Sequence, residues 1–457
     1  MTRQQRLILL VSILASFVAF LDGSVVNIAL PAIARELGGG LATQQWTVDA
    51  YLITLGSLIL VAGSFSDIFG RKKVLASGLI GFAVASVLCA VAPSGLVLIL
   101  ARALQGVAGA LLVPSSLALI ISGFSGKEQG KAIGTWTAWT GIAFVVGPLL
   151  GGALIGLGSW RLIFAINIVP IAVTLWLMAR LDAEKGRHKD ARVDVVGALL
   201  CVVGLGAPVF ALIEQSHYGW SSPAIYGPLV AGLAALTAFI GYERRAAQPM
   251  LPLELFKVRN FWAGNAATVF IYGALSVATF VVTVAVQQVG GYTALEAGLA
   301  LLPVTLIMFA LSPRAGALAG KFGPRLFMTF GPILAGAGFL AMLRADAHMH
   351  YLPHILPGVL LFGVGLAATV APLTSAVLGD VAPRQAGIAS AVNNAVARIA
   401  GLVAVAFLGL VIGERMDVGG FRRAMLLTAL LVIFGGVVSA AGIRNHPHQS
   451  EDQPLAK

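Results

Sequence analysis

Charge is what this 457-residue chain has least of: Asp, Glu, Lys and Arg make up 11% of it, against about 25% in soluble domains. That scarcity, beside 58% hydrophobic residues, excludes an ordinary water-soluble globule. Cysteine is nearly absent. Cys89 and Cys201 each sit in an apolar run, which leaves no disulfide framework and no zinc site. No Gly-rich loop ends in Gly-Lys-Ser/Thr, so ATP has no phosphate cradle, and no nucleophile and base stand out as the pair of an enzyme. His348, His350 and His354 lie in one short connection without cysteine and read as loop residues, so neither metal nor cofactor is expected. Acids number 19 against 30 bases. That excess does not require nucleic acid, because loops on one side of a membrane protein carry it too.

Long apolar runs are what the chain has in plenty. Fourteen are long enough to cross a bilayer: 7–29, 47–65, 74–92, 96–118, 131–155, 161–180, 195–215, 226–243, 262–286, 297–319, 325–343, 353–378, 386–411 and 425–443. The first is too long for a cleaved signal and holds an acid, so it reads as a helix. The expectation is an all-α polytopic membrane protein of 14 transmembrane helices. An even number puts both termini on one side. Arg3, Arg6, Arg71, Lys72, Lys73, Lys127, Lys131, Arg244, Arg245, Lys257, Lys321 and Arg325 fall on that side, and Arg35, Arg161, Arg344, Arg415, Arg422 and Arg423 on the other. Positive loops stay inside, which makes the terminal side cytoplasmic; the expected location is a prokaryotic plasma (inner) membrane.

Charged connections around 182–194 and 243–259 set off the seventh and eighth runs, so the chain divides into 1–180, a six-helix bundle; 181–261, cytoplasmic linkers with two extra helices; 262–445, a second six-helix bundle; and a cytoplasmic tail, 446–457. A weak repeat agrees with two pseudo-symmetric halves. Gly63-Ser64-Phe65-Ser66-Asp67-Ile68-Phe69-Gly70-Arg71, after the second run, is echoed by Gly316 to Arg325 after the tenth. Repeated halves around a central site are a construction of secondary transporters.

The first run carries the strongest single signal. Asp22 is its only charge, roughly 10 Å from Ala29 at helical rise, and an acid at that depth costs several kcal/mol unless it faces protein or water. Arg102, six residues into the fourth run, lies at a similar depth and needs an acceptor; Asp22 and Asp49 are the acids in the outer halves of the first six runs. Gly63, Gly70 and Arg71 suit a tight cytoplasmic turn, with Asp67 able to cap a helix or pair with a base. Gly147 and Pro148 in the fifth run allow close contact and a kink. Asn393, Asn394 and Arg398 form a polar patch in the thirteenth, open to cavity-lining or to interhelical hydrogen bonding. Glu214, Glu243 and Glu296 stand at run ends and read as facing headgroups or water.

Together these segments resemble the major facilitator superfamily, specifically its fourteen-helix drug:proton antiporter branch. The stretch Leu21 to Pro31 resembles that branch's first-helix motif, with Ser24 where Thr is commoner. Gly63, Asp67, Gly70, Arg71 and Lys72 match the loop after helix two; Leu98, Arg102, Gln105, Gly106 and Ala110 match the fourth-helix motif. Gly147-Pro148-Leu149-Leu150-Gly151-Gly152 matches the antiporter motif of helix five, with Ala143 in place of its leading Gly. The resemblance implies that Asp22, Arg102 and Asp49 form a proton site, that the 63–71 loop and Gly147-Pro148 gate, and that Asn27, Asn393, Asn394 and Arg398 bind substrate. The implied function is proton-coupled multidrug efflux of amphipathic, cationic compounds by alternating access, in a chain able to work as a monomer. Two alternatives stand beside it: a dedicated exporter of one metabolite or anion held by Arg398, and a non-transporting sensor or scaffold.

Overall fold

A backbone inside hydrocarbon must satisfy its own N–H and C=O groups, and runs of this length do so as helices. The computed structural model describes residues 1–182, 193–246, 249–382, 385–413 and 416–445, with the backbone alone at Gly63, Ser64, Asp67, Gly126, Lys127, Gly130, Ala138, Phe144, Val145 and Ala386. Among the described residues 14 helical stretches are long and apolar enough to cross a membrane. Spans 1 to 6 are Arg3–Leu37, Gly40–Ala62, Arg71–Ala90, Gly95–Gly123, Lys131–Gly156 and Leu162–Ala179. Spans 7 and 8 are Val195–Tyr218 and Pro223–Glu243. Spans 9 to 14 are Arg259–Gln288, Ala294–Phe322, Pro324–Arg344, Tyr351–Gly379, Gly387–Ile412 and Val418–Gly442.

Local chemistry fixes where these helices start and bend. Thr2 and Gln5 form a capping box on span 1, which supplies partners for the first free N–H groups. Span 5 is two helices, Gly126–Gly141 and Ala143–Gly156, joined at Ile142. The turn between spans 2 and 3 is made by Gly70 at φ 92 and ψ 133, and the turn between spans 10 and 11 by Gly323 at φ 86 and ψ 152. Only glycine adopts such a backbone at low cost. The sequence echo thus returns as the same backbone turn in both halves.

Span 1 packs on spans 4, 5 and 6, and span 2 on spans 3 and 4, while spans 9 to 14 form a second group with span 9 against spans 12, 13 and 14. Glycine permits the closest approaches. A Cβ at Gly338 would stand 2.5 Å from the Gly358 carbonyl oxygen, so spans 11 and 12 touch backbone to backbone there. Spans 7 and 8 pair with each other, and span 7 lies against span 2 and touches span 13.

The two groups of spans meet at the end opposite the termini. Gln45 Nε2 of span 2 donates to the carbonyls of Val405 (2.7 Å) and Ala406 (3.2 Å) in span 13. Gln287 Nε2 of span 9 donates to the Ile28 carbonyl of span 1 at 3.1 Å. Gly152 of span 5 sits against Ala294 and Leu295 at the start of span 10, and Gly298 sits against the Pro148 carbonyl. A cavity of about 830 Å³ opens beside these contacts, lined by Arg35, Gln44, Gln287, Gln288 and Tyr292 among others.

Candidate functional site

Asp22 is 0% exposed, and its position on span 1 turns it toward spans 3, 4 and 6. Arg102 Nη1 donates to its Oδ2 at 2.6 Å. Gln105 Nε2 and Asn167 Nδ2 each donate to its Oδ1 at 2.9 Å. Arg102 and Gln105, three residues apart, share one face of span 4, which is why both reach the same carboxylate. The arginine, 1% exposed, also donates through Nε to the Thr47 carbonyl at 2.9 Å and through Nη1 to Gln105 Oε1 at 2.5 Å. Its guanidinium lies 4.4 Å from the Tyr51 ring centre and 5.7 Å from that of Phe164. Gln105 Nε2 reaches Ser86 Oγ at 2.9 Å.

One carboxylate, one guanidinium and two amides from spans 1, 4 and 6, joined by Ser86 of span 3 and the Thr47 carbonyl of span 2, therefore form a closed polar cluster in a dry interior. Such a pair is held by direct charge and hydrogen bonds, and removing either charge would strand the other. One oxygen is left over: Asn167 Oδ1 is buried and has no hydrogen-bond partner among the described residues. A carboxamide can turn to offer either donor or acceptor, so this position suits both the ionised and the neutral form of Asp22.

The expected trio is a pair. Asp49, also 0% exposed, has no hydrogen-bond partner for either oxygen among the described residues and does not join the Asp22–Arg102 ion pair. Thr47 and Tyr51 face the arginine, and Asp49, offset from both around the helix, points elsewhere. Asn167, Ser86 and Thr47 were not expected here. A lone Asn within the apolar sixth run was the available signal, since polar groups inside a span tend to pair with one another.

The gating residues divide. The side chains of Gly63 and Asp67 lie outside the described residues; Gly70 forms the positive-φ turn, and neighbouring Lys72 donates to the Leu181 carbonyl at 2.6 Å. Gly147 packs on Ser24, whose hydroxyl donates to the Ala143 carbonyl at 3.1 Å, and Pro148 touches span 10 at the closed end.

Among the expected substrate residues, Asn393 Nδ2 bonds to Thr268 Oγ1 (2.9 Å) and Asn265 Oδ1 (3.1 Å), so it ties span 13 to span 9. Asn27 and Asn394 are half-buried. Arg398 is half-buried with its guanidinium 5.6 Å from the Phe20 ring centre, and among the described residues it has no ion pair. Two acids read as facing headgroups do otherwise. Glu214 accepts from Trp46 Nε1 at 2.7 Å, and Glu243, buried beside Asp194, accepts from the Leu251 N–H at 2.9 Å. Aromatic and backbone donors on neighbouring segments turned both acids inward. Linker residues 183–192 and the tail 446–457 lie outside the described residues.

Residues 12–405 match the profile of the Major Facilitator Superfamily. The multidrug resistance protein Stp of Mycobacterium tuberculosis is 33% identical over 413 residues, 90% of this chain and 76% of Stp. The puromycin resistance protein pur8 of Streptomyces alboniger is 36% identical over 414 residues, 88% of this chain and 81% of pur8. Among solved structures, a bacterial homologue of the human lysosomal transporter Spinster superposes with a TM-score of 0.66 at 14% identity, covering 96% of this chain and 97% of that one.

Proposed function

The chain belongs to the major facilitator superfamily, is close to drug-resistance exporters, and is a multi-pass membrane protein rather than an enzyme; from that premise we propose that it exports amphipathic compounds from a bacterial cytoplasm in exchange for protons taken up through Asp22. The observation that carries the reading is the fully buried carboxylate held by Arg102, Gln105 and Asn167. Protonation removes its charge, weakens its hold on Arg102, and leaves the O–H to be accepted by Asn167 once its amide turns. Burial makes that change large, because fields act strongly where water is absent. Positive loops support cytoplasmic termini, and the contacts between halves at the opposite end then correspond to a closed external face. The proposed working unit is the monomer, since each half supplies one side of the path.

Asp22 has no exposed surface, so a cationic substrate acts on it through helix movement rather than by direct competition. Arg398 favours a second reading of the cargo. A guanidinium at mid-span with no described acid partner suits a compound bearing an anionic or strongly electronegative group.

Uptake into inverted vesicles under an imposed proton gradient tests both readings, with one cationic and one anionic fluorescent compound, comparing the parent with Asp22→Asn and Arg398→Gln at equal expression. Loss of driven uptake in Asp22→Asn supports coupling there, and full activity refutes it. Selective loss of the anionic compound in Arg398→Gln supports the second reading.

A further inference from the structure

Asp49 stands where three parts of the molecule meet. It lies four residues after Gln45 and four before Ile53, so the three side chains share one face of span 2. Contacts on that face define its surroundings. Gln45 bonds to the Val405 and Ala406 carbonyls of span 13. Trp46 bonds to Glu214 of span 7, with its ring centre 6.1 Å from that of Phe210. Ile53 lies against Gly206 of span 7, where an added Cβ would be 3.5 Å away, and packs with Leu402 and Ala406 of span 13. Asp49 is therefore enclosed between span 2 of the first bundle, span 7 of the extra pair and span 13 of the second bundle, about one turn deeper than the Gln45 contact.

Both of its oxygens are buried and, among the described residues, without a hydrogen-bond partner. The spans packed against span 2 carry charged or titratable groups at Cys201 and Glu214 of span 7, Arg398 of span 13, Arg102 of span 4 and Asp22 of span 1. None of them bonds to it. Arg102 and Asp22 hold each other, Glu214 holds Trp46, and Arg398 lies over Phe20. A bare carboxylate here would lack water, donor and counter-ion, so in this closed arrangement the group is the neutral acid.

We propose that Asp49 is a proton-binding site separate from Asp22 that locks the external face. The proton stays on while spans 2, 7 and 13 are closed over it. When Gln45 parts from span 13, water reaches the carboxyl, its proton passes to that water, and the charge left behind holds the joint open. External acid then favours closure. This inference rests on the alternating-access reading above, and it assigns Asp49 to the gate rather than to the transported proton.

The test is the distance across the external face, read by spin labels at Leu157→Cys and Leu352→Cys. These positions are exposed and lie on opposite halves, while the native cysteines are buried. Across pH 5 to 9 the parent is expected to shift from a short to a long distance as pH rises, the open-to-closed ratio changing by up to about tenfold per pH unit for one proton. Asp49→Asn should hold the short distance throughout, while Asp22→Asn should keep the shift. A parent distance independent of pH, or an unchanged shift in Asp49→Asn, overturns the proposal. Infrared spectroscopy gives an independent reading: the protonated-carboxyl carbonyl band of the closed state should lose a component in Asp49→Asn, and an unaltered band also overturns it. Failure of vesicle transport to depend on Asp22 would sink the coupling reading yet leave this band in place.

Discussion

Asp22 and Arg102 hold each other inside a cluster that water does not reach, and this mutual dependence sets the cost of altering either. Arg102→Ala is expected to destabilise the fold by about 3–5 kcal/mol, because a buried carboxylate is left without its cation; the unfolding midpoint in detergent should fall accordingly. Adding Asp22→Asn to that variant should recover part of the loss, since the stranded charge is gone, and a double-mutant cycle reads the coupling. Asn167→Ala removes one donor to Asp22 and is expected to cost about 1–3 kcal/mol. It should also shift the pH profile of transport, whereas a merely structural Asn would lower stability alone.

Helices approach closely where glycine leaves room, and spans 5 and 10 do so at the closed end. Gly152 lies 2.5 Å, measured from a hypothetical Cβ, from the Leu295 Cα, so Gly152→Val cannot be absorbed by a rotamer change. The expected outcome is a wedge between the halves. A cysteine at Gln44, 2% exposed beside the cavity at this end, should react faster with a membrane-impermeant maleimide in that variant than in the parent. An equal rate would mean that the contact does not hold the face shut. Span 5's motif brings backbones close together, with Gly147 seated on Ser24 of span 1 and Pro148 against Gly298 of span 10.

For the whole molecule the distribution of Lys and Arg leads to a test of orientation. A fluorescent protein fused at the C-terminus should fluoresce in a bacterial host, and alkaline phosphatase inserted after Gly219, between spans 7 and 8, should be active outside. The opposite pair of results would reverse the proposed direction. The extra pair also gains a structural place at this scale. Span 7 is joined to span 2 through Trp46 and Glu214 and touches span 13 as well, so it borders both bundles.

The sequence by itself determined the number of spans and the glycine turn repeated at Gly70 and Gly323, and it singled out Asp22 and Arg102 as buried charges that need partners. Each of these follows from local cost: an apolar run must be helical in hydrocarbon, a positive φ calls for glycine, and a charge at mid-span needs a partner. Only the tertiary structure decided which partners met. Asn167 and Ser86 joined the cluster because spans 3 and 6 bring them to it, and Asp49 left it because its face of span 2 turns toward spans 7 and 13. Glu214 and Glu243 turned inward for the same reason, and Asn393 bonded across to span 9. Where a side chain points depends on which helices pack together, and that is set by contacts hundreds of residues apart in the chain.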